Sequence, residues 1–200
     1  QTCALPIYPL SAFGGIVGFN REVDSDTAQA LLDGMDKYGF LECVLAPSFS
    51  TEAREKLAVK KNLRLVAVSD LCALDTYDYK RVTGGFIAQQ LDLLTDPEEL
   101  TVVTKAQPTP HQLEELKFAW RVCKTTKSNA IVYAKGTMTV GIGGGLYSRV
   151  DANMIAARKA GDRAQGAVLA SDAFFPQPDN IDVAHAAGVV AVIQPGGSIK

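Results

Sequence analysis

Residues 140–161 read VGIGGGLYSRVDANMIAARKAG, and this stretch decides the fold because a cluster of glycines joins a predicted strand to a predicted helix. The glycines match neither familiar nucleotide-binding pattern. No Lys-Ser or Lys-Thr pair follows them, as a Walker A loop requires, and Leu146 stands where the dinucleotide pattern has its third glycine. The stretch therefore predicts a strand-to-helix turn and argues against a Rossmann nucleotide site.

The residues after the glycines leave two interpretations open. Ser148 can cap the helix that follows, and Arg149 stands in its first turn. A basic residue there opposes the helix dipole at a cost of about 0.3–1 kcal/mol. An anion or carbonyl group held between the helix N-terminus and the guanidinium would remove that conflict. A plain turn with positive φ explains the glycines equally, but the arginine favours a ligand.

Predicted strands and helices alternate along the whole chain. In the first half, the apolar runs GGIVGFN, ECVLAPSF and LRLVAVSD alternate with helices capped by Asp24 or Ser25 and by Ser50 or Thr51. In the second half, TVGIGGG, AVLASDAFF and VVAVIQPGG alternate with helices in the same order and with similar spacing. We therefore predict an internally duplicated α/β protein of two α/β layers, with largely parallel pairing and right-handed crossovers.

The ends of the predicted strands carry the candidate site. Ligands of such sheets bind beyond the carboxyl ends of the strands, so the residues after GIGGG, VLAPS, SDAFF and VIQPGG are expected to share one rim. Ser128 and Asn129 stand at a helix-to-strand junction, where a polar cap and a ligand contact are both open interpretations. The loop SDAFFPQPDNID suits either solvent or a flat heterocycle with donors along its edge, such as a pterin.

Composition excludes several classes of protein. Twenty Lys and Arg against 22 Asp and Glu leave a formal net charge of −2, which argues against broad electrostatic binding of nucleic acid. No apolar run is long enough to span a membrane, so we expect no membrane partner. The ends QTCALPIY and QPGGSIK fit no complete element, and we expect the sequence to be an internal piece of a longer protein.

Cysteine and histidine usage gives no metal site. The histidines, His111 and His185, have no cysteine, serine or paired carboxylate beside them in sequence, which favours surface or structural roles. We predict no bound metal, because the cysteines lie far apart without zinc-site spacing. Since most of them lie in apolar or helical runs and the sequence shows no signal peptide, we expect reduced thiols and a cytoplasmic location. These cysteines are Cys3, Cys43, Cys72 and Cys123.

Seven motifs in order carry a family likeness: SAFGGIVGFN, KRVTGGFIAQ, VVTKAQPT, KSNAIVYAK, TVGIGGGLYSRVDA, ASDAFFP and VIQPGGSI. Together they resemble the transformylase domain of the family that joins AICAR transformylase to IMP cyclohydrolase. The resemblance implies two cytidine-deaminase-like α/β/α halves with mixed sheets, residues 9–110 and 111–200, behind a non-matching segment 1–8. It also implies formyl transfer from the co-substrate 10-formyltetrahydrofolate to AICAR, giving FAICAR for IMP synthesis, in a homodimer with active sites at the subunit interface.

The resemblance also implies which residues meet the nucleotide. Asn129 of KSNA corresponds to the family asparagine beside the reacting groups, and Arg149 of YSR to the arginine that helps to hold the ribonucleotide. Phe174 of DAFFP is expected where nucleotide and folate meet. Gly14 of AFGG and Glu42 before VLAPS fall where the family contacts the nucleotide.

On the folate side, the resemblance implies that Asp179 and Asn180 recognise the pterin edge and that Ser198 of PGGS lines the site. Gln177 and Pro178 depart from the FFPFRD motif of many relatives, where an aromatic residue and an arginine stand. The departure bears on packing around the folate.

The family's Lys-His motif and its histidine-containing C-terminal tail have no counterpart in these 200 residues. We therefore expect the sequence to be a fragment of a formyltransferase that is inactive alone and whose parent also carries IMP cyclohydrolase activity. A noncatalytic α/β module that binds a small phosphorylated ligand, with GIGGGLYSR as an anion cradle, is the alternative.

Overall fold

The structure is a computed structural model, and it describes residues 12–70, 76–97 and 99–198. The chain divides into two compact units between Leu93 and Leu94. The predicted non-matching segment 1–8 lies outside the described residues. We describe each unit by itself.

The segment that opens the second unit is tied to a helix of that unit. Arg121 donates two hydrogen bonds of 2.7 Å to the carboxylate of Asp96, and Lys124 Nζ donates to the carbonyl of Leu94 at 2.6 Å. These contacts explain why the division falls ahead of the predicted boundary at residue 110. The assignment of both halves to deaminase-like domains stays a prediction.

The first unit contains a three-stranded parallel sheet in the order β1-β2-β3 and two helices, followed by a β-hairpin. Both helices begin at predicted caps: Asp24 accepts a hydrogen bond of 2.8 Å from the N–H of Thr27, and Ser50 accepts one of 3.1 Å from that of Ala53. In chain order the elements are β1 (Gly15–Gly18), α1 (Ser25–Tyr38), β2 (Leu41–Ala46), α2 (Thr51–Leu57) and β3 (Arg64–Ala67).

A separate hairpin follows, and it contains the predicted extended segment with the glycine pair. Its strands are β4 (Tyr77–Val82) and β5 (Gly85–Gln90), which pair antiparallel. Gly84 has a φ of 87° in the turn between them, a conformation that favours glycine. Every residue of both strands is exposed to solvent.

In the second unit, four strands form a mixed sheet in the order β7-β6-β8-β9. Strand β6 runs antiparallel to both of its neighbours, whereas β8 and β9 are parallel, so β7, β8 and β9 all point the same way. In chain order the elements are α3 (Pro110–Thr125), β6 (Ile131–Lys135), β7 (Met138–Gly143), α4 (Arg149–Ala160), a 3-10 turn (Gly161–Ala164), β8 (Val168–Ser171), α5 (Asp179–Ala187) and β9 (Ala191–Ile193).

Helices cover both faces of this sheet, which explains why its central strands are apolar on both sides. Along β6, Val132 faces the cluster that contains α3, whereas Ile131 and Tyr133 face the cluster that contains α4. All three residues are 0% exposed. Side chains of a strand point alternately to opposite faces, so a strand between two helical layers reads as a continuous apolar run.

The predicted α/β class is confirmed: the described residues form one parallel sheet, one mixed sheet and the antiparallel β4–β5 hairpin. Each unit contains the order strand, helix, strand, helix, strand, but the sheets are connected differently. In the first unit the three strands are direct neighbours, whereas β6 separates β7 from β8 in the second. The internal duplication stays a prediction.

Close packing against a helix explains two glycines of the cluster at residues 141–145, and the sequence pattern did not predict this packing. A Cβ atom on Gly141 would clash with the carbonyl oxygen of Ala156, and a Cβ atom on Gly143 would clash with that of Ala152. Helix α4 therefore lies with its backbone directly against β7. Ala152, Ala156 and Ala160, four residues apart, form the small buried helix face that permits this approach.

Gly143→Ala should destabilise the second unit by about 1–3 kcal/mol, since the added methyl group forces α4 away from β7. Urea denaturation followed by circular dichroism measures the free energy of unfolding. Gly196→Ala is the matched control, because Gly196 has an ordinary φ and open space around its Cβ position, and we expect a change within about 0.5 kcal/mol. Equal effects of the two substitutions would contradict the proposed contact.

Candidate active site

One edge of the mixed sheet collects most of the predicted site residues of the second unit. The carboxyl ends of β7, β8 and β9 meet there with the amino end of β6, because β6 alone runs in the opposite direction. The shared edge predicted for these three strands is confirmed within this unit. We call it the rim, and we define it by the side chains of Asn129, Arg149, Asp172, Phe174, Gln194 and Ser198, which lie at or directly beyond these strand ends.

Asp172, which follows β8, holds the centre of the rim. Its Oδ1 atom accepts a hydrogen bond of 3.0 Å from the N–H of Ala130 and one of 2.8 Å from Nη1 of Arg149. The side chains of Asp172 and Arg149 are only 18% and 12% exposed. A single carboxylate therefore joins the start of β6, the end of β8 and the first turn of α4.

This ion pair resolves the conflict between Arg149 and the helix dipole. The anion beside the guanidinium is the chain's own Asp172, so the position of the arginine needs no ligand to explain it. Ser148 caps α4 as predicted, accepting a hydrogen bond of 3.1 Å from the N–H of Asp151. Sequence reasoning missed Asp172, although its place directly after a strand in SDAFF puts it on the same edge.

Asn129 is held at the start of β6 by its own amide and backbone. Its backbone N–H and its Nδ2 atom both donate to the carbonyl of Leu146, at 3.3 and 2.9 Å. The peptide bond between Ser128 and Asn129 is cis. With Nδ2 bonded to Leu146, Oδ1 is the atom of the side-chain amide that is left to accept a hydrogen bond from a ligand.

Phe174 lies beside the loop after β9, and Ser198 is part of that loop. Phe174 is 38% exposed, and a Cβ placed on Gly197 would lie 3.8 Å from its ring. Gln194 joins the two loops: its Oε1 atom accepts a hydrogen bond of 2.8 Å from the N–H of Phe175, and its Nε2 atom donates one of 3.1 Å to Ser198 Oγ. Sequence reasoning did not single out Gln194.

Asp179 and Asn180 begin α5, whose N-terminus follows β8 through the loop 172–178. Their side chains have different surroundings. Asp179 is exposed, whereas Asn180 is 2% exposed and bonds to Asp179 and Asn153. Direct contact of either residue with a folate stays a prediction, and only Asp179 presents its side chain to solvent.

Gly14 and Glu42 lie near each other in the first unit. Gly14 has a φ of 74°, and its N–H donates to the carbonyl of Phe40 at 2.9 Å. A Cβ on Gly14 would lie 3.9 Å from Glu42, whose carboxylate pairs with Arg64. Both precede or begin their strands, so they occupy the amino edge of that sheet. Their contact with a nucleotide stays a prediction.

The histidines stand at the edge of the mixed sheet opposite the rim. His111 lies 3.5 Å from Glu115, and Glu115 accepts a hydrogen bond from the N–H of Gly136 in the β6–β7 turn. His185 is in the last turn of α5, before Gly188, whose carbonyl accepts from Gly166 ahead of β8. Among the residues that the structure describes, the rim therefore contains no histidine.

Neither a metal-binding group nor a membrane-spanning helix occurs in the described ranges, 12–70, 76–97 and 99–198. Within them, no three His, Cys, Asp or Glu side chains are grouped so that they could hold a metal ion. None of the helices in those ranges has the length and apolar character needed to cross a bilayer.

Cys123 lies buried beneath the rim on α3. Its thiol is 3.7 Å from the carbonyl oxygens of Ala130 and Ala170. Burial raises the pKa of this thiol from its usual 9.0 to about 12, the negative charge of Asp172 adds to the rise, and Arg149 opposes it. Cys123 is therefore a protonated packing residue at neutral pH and does not act as a nucleophile.

The raised pKa of Cys123 predicts a loss of stability at alkaline pH. The unfolded thiol releases its proton near pH 9.0 and the folded thiol only near pH 12, so the free energy of unfolding should fall as pH rises between these values. The slope from one such group is at most about 1.4 kcal/mol per pH unit. Cys123→Ala should reduce the slope measured by urea denaturation at pH 8 to 11. An unchanged slope would contradict the assignment.

Residues 2–159 match the family described as AICARFT/IMPCHase bienzyme. The match covers more than half of the chain and includes Gly14, Glu42, Asn129 and Arg149. It agrees with the motif resemblance found in the sequence, and it extends through both units into α4. The chain belongs to the AICARFT/IMPCHase bienzyme family, whose members are bifunctional enzymes of purine biosynthesis.

Proposed function

We propose that this chain is part of a formyltransferase that moves a formyl group from 10-formyltetrahydrofolate to the amine of AICAR. The observation that carries the proposal is the convergence of Asn129, the Arg149–Asp172 pair and Phe174 on one rim. An amide, a guanidinium and an exposed ring are suited to a nucleotide beside a flat heterocycle. Family membership supports the same reaction.

The chemistry sets what the rim must supply. The amine nitrogen attacks the formyl carbon, the tetrahedral intermediate loses the amine proton to a base, and the C–N bond to the folate breaks as that nitrogen gains a proton. The amine is a weak nucleophile because its lone pair is delocalised into the imidazole and carboxamide. The reaction therefore needs orientation, a proton acceptor and donors to the oxyanion.

The rim residues fit the orienting part of this task. Arg149 binds the ribonucleotide, and its partner Asp172 keeps the guanidinium in one position. Asn129 Oδ1 accepts a hydrogen bond from the reacting groups. Phe174 packs against the folate, and Asp179 accepts hydrogen bonds from the pterin edge. We assign none of these described residues to the proton acceptor.

Family membership also bears on the second activity and on location. We infer that the protein containing this chain carries IMP cyclohydrolase activity as well, and we assign no residue described here to it. The proposed reaction draws on water-soluble nucleotide and folate, which supports a cytoplasmic location. The alternative, a module that binds only a phosphorylated ligand, has less support, because it gives no role to the exposed ring of Phe174 and does not use the family match.

Calorimetric titration of the chain separates the two functions. A formyltransferase site should bind both AICAR and a folate analogue, whereas the module should bind only AICAR, through its phosphate group. Arg149→Lys keeps the charge opposite Asp172 but removes the planar fork, so it should weaken AICAR binding about tenfold and leave the folate analogue within about twofold.

Arg158→Lys is the control for this titration, because Arg158 is exposed near the other end of the same helix. It should change neither affinity. Response to AICAR alone, or equal effects of the two lysine substitutions, would argue against the proposed site.

We also propose that two copies of the chain associate through the β4–β5 hairpin. Tyr79 and Phe86 are 63% and 74% exposed, and the pairing places Tyr77, Tyr79 and Phe86 on one face. A lone two-stranded hairpin is marginally stable in water, and an exposed aromatic face marks an interaction surface. A second copy is the occupant that the family's dimeric arrangement supports.

Sedimentation velocity tests this association. The chain should sediment as a dimer at micromolar concentration, and Phe86→Ser should raise the dimer dissociation constant at least about tenfold, as loss of a central aromatic contact does. Ile87→Ser is the matched control, since Ile87 is 55% exposed but points to the other face. A monomeric chain, or equal effects of both substitutions, would refute the proposed surface.

A further inference from the structure

A chain of buried hydrogen bonds runs from the centre of the mixed sheet to the first turn of α5. The Tyr133 hydroxyl on β6 donates to Asn153 Oδ1 on α4 at 2.6 Å. Asn153 Nδ2 donates to the carbonyl of Asn180 at 2.7 Å and to its Oδ1 atom at 3.3 Å. Asn180 Nδ2 then donates to Asp179 Oδ1 at 3.1 Å.

Each member of this chain fixes the orientation of the next. Tyr133 and Asn153 are 0% exposed and Asn180 is 2% exposed, so water does not compete for these groups. Burial raises the pKa of Tyr133, which keeps its hydroxyl protonated and able to donate. A donor on Asn153 Oδ1 leaves Nδ2 for Asn180, and the same logic directs the amide of Asn180 toward Asp179.

The first turn of α5 depends on this network because it lacks a usual cap. The residue at the N-cap position is Pro178, which forms no side-chain hydrogen bond to the helix, whereas Ser148 caps α4. The N–H of Asn180 instead donates to Asp179 Oδ1 at 2.7 Å. The buried chain thus ends on an exposed carboxylate and defines its position.

We infer that Tyr133 and Asn153 are positioning residues that hold the Asp179 carboxylate for the folate. The inference rests on the proposed function, in which Asp179 accepts hydrogen bonds from the pterin edge. Neither residue touches a ligand. They act through Asn180: Asn153 fixes the buried amide of Asn180, and this amide in turn fixes the exposed carboxylate of Asp179.

The test is a double-mutant cycle of Tyr133 and Asp179 in the 200-residue protein, in which calorimetric titration measures the affinity for AICAR and for a folate analogue. Tyr133→Phe removes the first donor and should weaken the folate analogue about three- to tenfold, the usual value of one buried hydrogen bond. AICAR binding should stay within about twofold. Asp179→Asn should also weaken the folate analogue, and adding Tyr133→Phe to it should cause little further loss.

Hydrogen exchange adds a readout that needs no ligand. Amides of the first turn of α5 should exchange several-fold faster in Tyr133→Phe, because that turn loses its fixed partner. Tyr38→Phe, at the end of α1 in the first unit, is the control and should change neither exchange in α5 nor either affinity. If Tyr133→Phe does not fold, Asn153→Ser removes the next group of the hydrogen-bond network and is tested in the same way.

The outcomes separate the inference from the function on which it rests. If the unaltered chain does not bind the folate analogue, the proposed function fails and this inference fails with it. If the unaltered chain binds and the altered chain binds equally well, the function stands and the positioning role is refuted. Equal weakening of both ligands, or additive losses in the cycle, would show general destabilisation and would also refute it.

Discussion

The close contact between α4 and β7 is the constraint on which the second unit depends. Gly141 and Gly143 have no side chains, so the carbonyl groups of Ala152 and Ala156 lie directly against the strand. Small residues leave the helix little freedom to tilt, because interiors are packed too closely to absorb a shift of a methyl group. The position of α4 in turn places Arg149 at the rim, within reach of Asp172.

The ion pair at the rim is a consequence of that packing. Arg149 would be unfavourable in the first turn of a helix if it stood alone. Asp172 compensates the charge, and because its oxygen also accepts the N–H of Ala130, the pair holds the start of β6 as well. One carboxylate thus fixes the backbone beside Asn129 and the side chain of Arg149, the two groups assigned to the nucleotide.

Much of the fold could be predicted because it follows from local patterns. The alternation of strands and helices and the caps Asp24, Ser50 and Ser148 depend on residues near one another in the chain. The position of β6 between β7 and β8 could not be predicted in this way, since strand order depends on which apolar faces find each other in three dimensions. The close-packing role of Gly141 was missed for the same reason.

In the candidate site, the sequence predicts which strand ends meet but not which side chains bond to each other. Strand ends predict that residues after β7, β8 and β9 meet, but the partner of each side chain depends on register, which left Asp172 and Gln194 unassigned. The motif resemblance also gives Asp179 and Asn180 the same predicted role at the pterin edge. Successive residues on a helix point about 100° apart, so one of them faces solvent while the other is buried against α4. In the proposed site the two residues therefore have different roles: Asp179 is placed to contact the folate, and Asn180 holds the Asp179 carboxylate through a hydrogen bond of 3.1 Å.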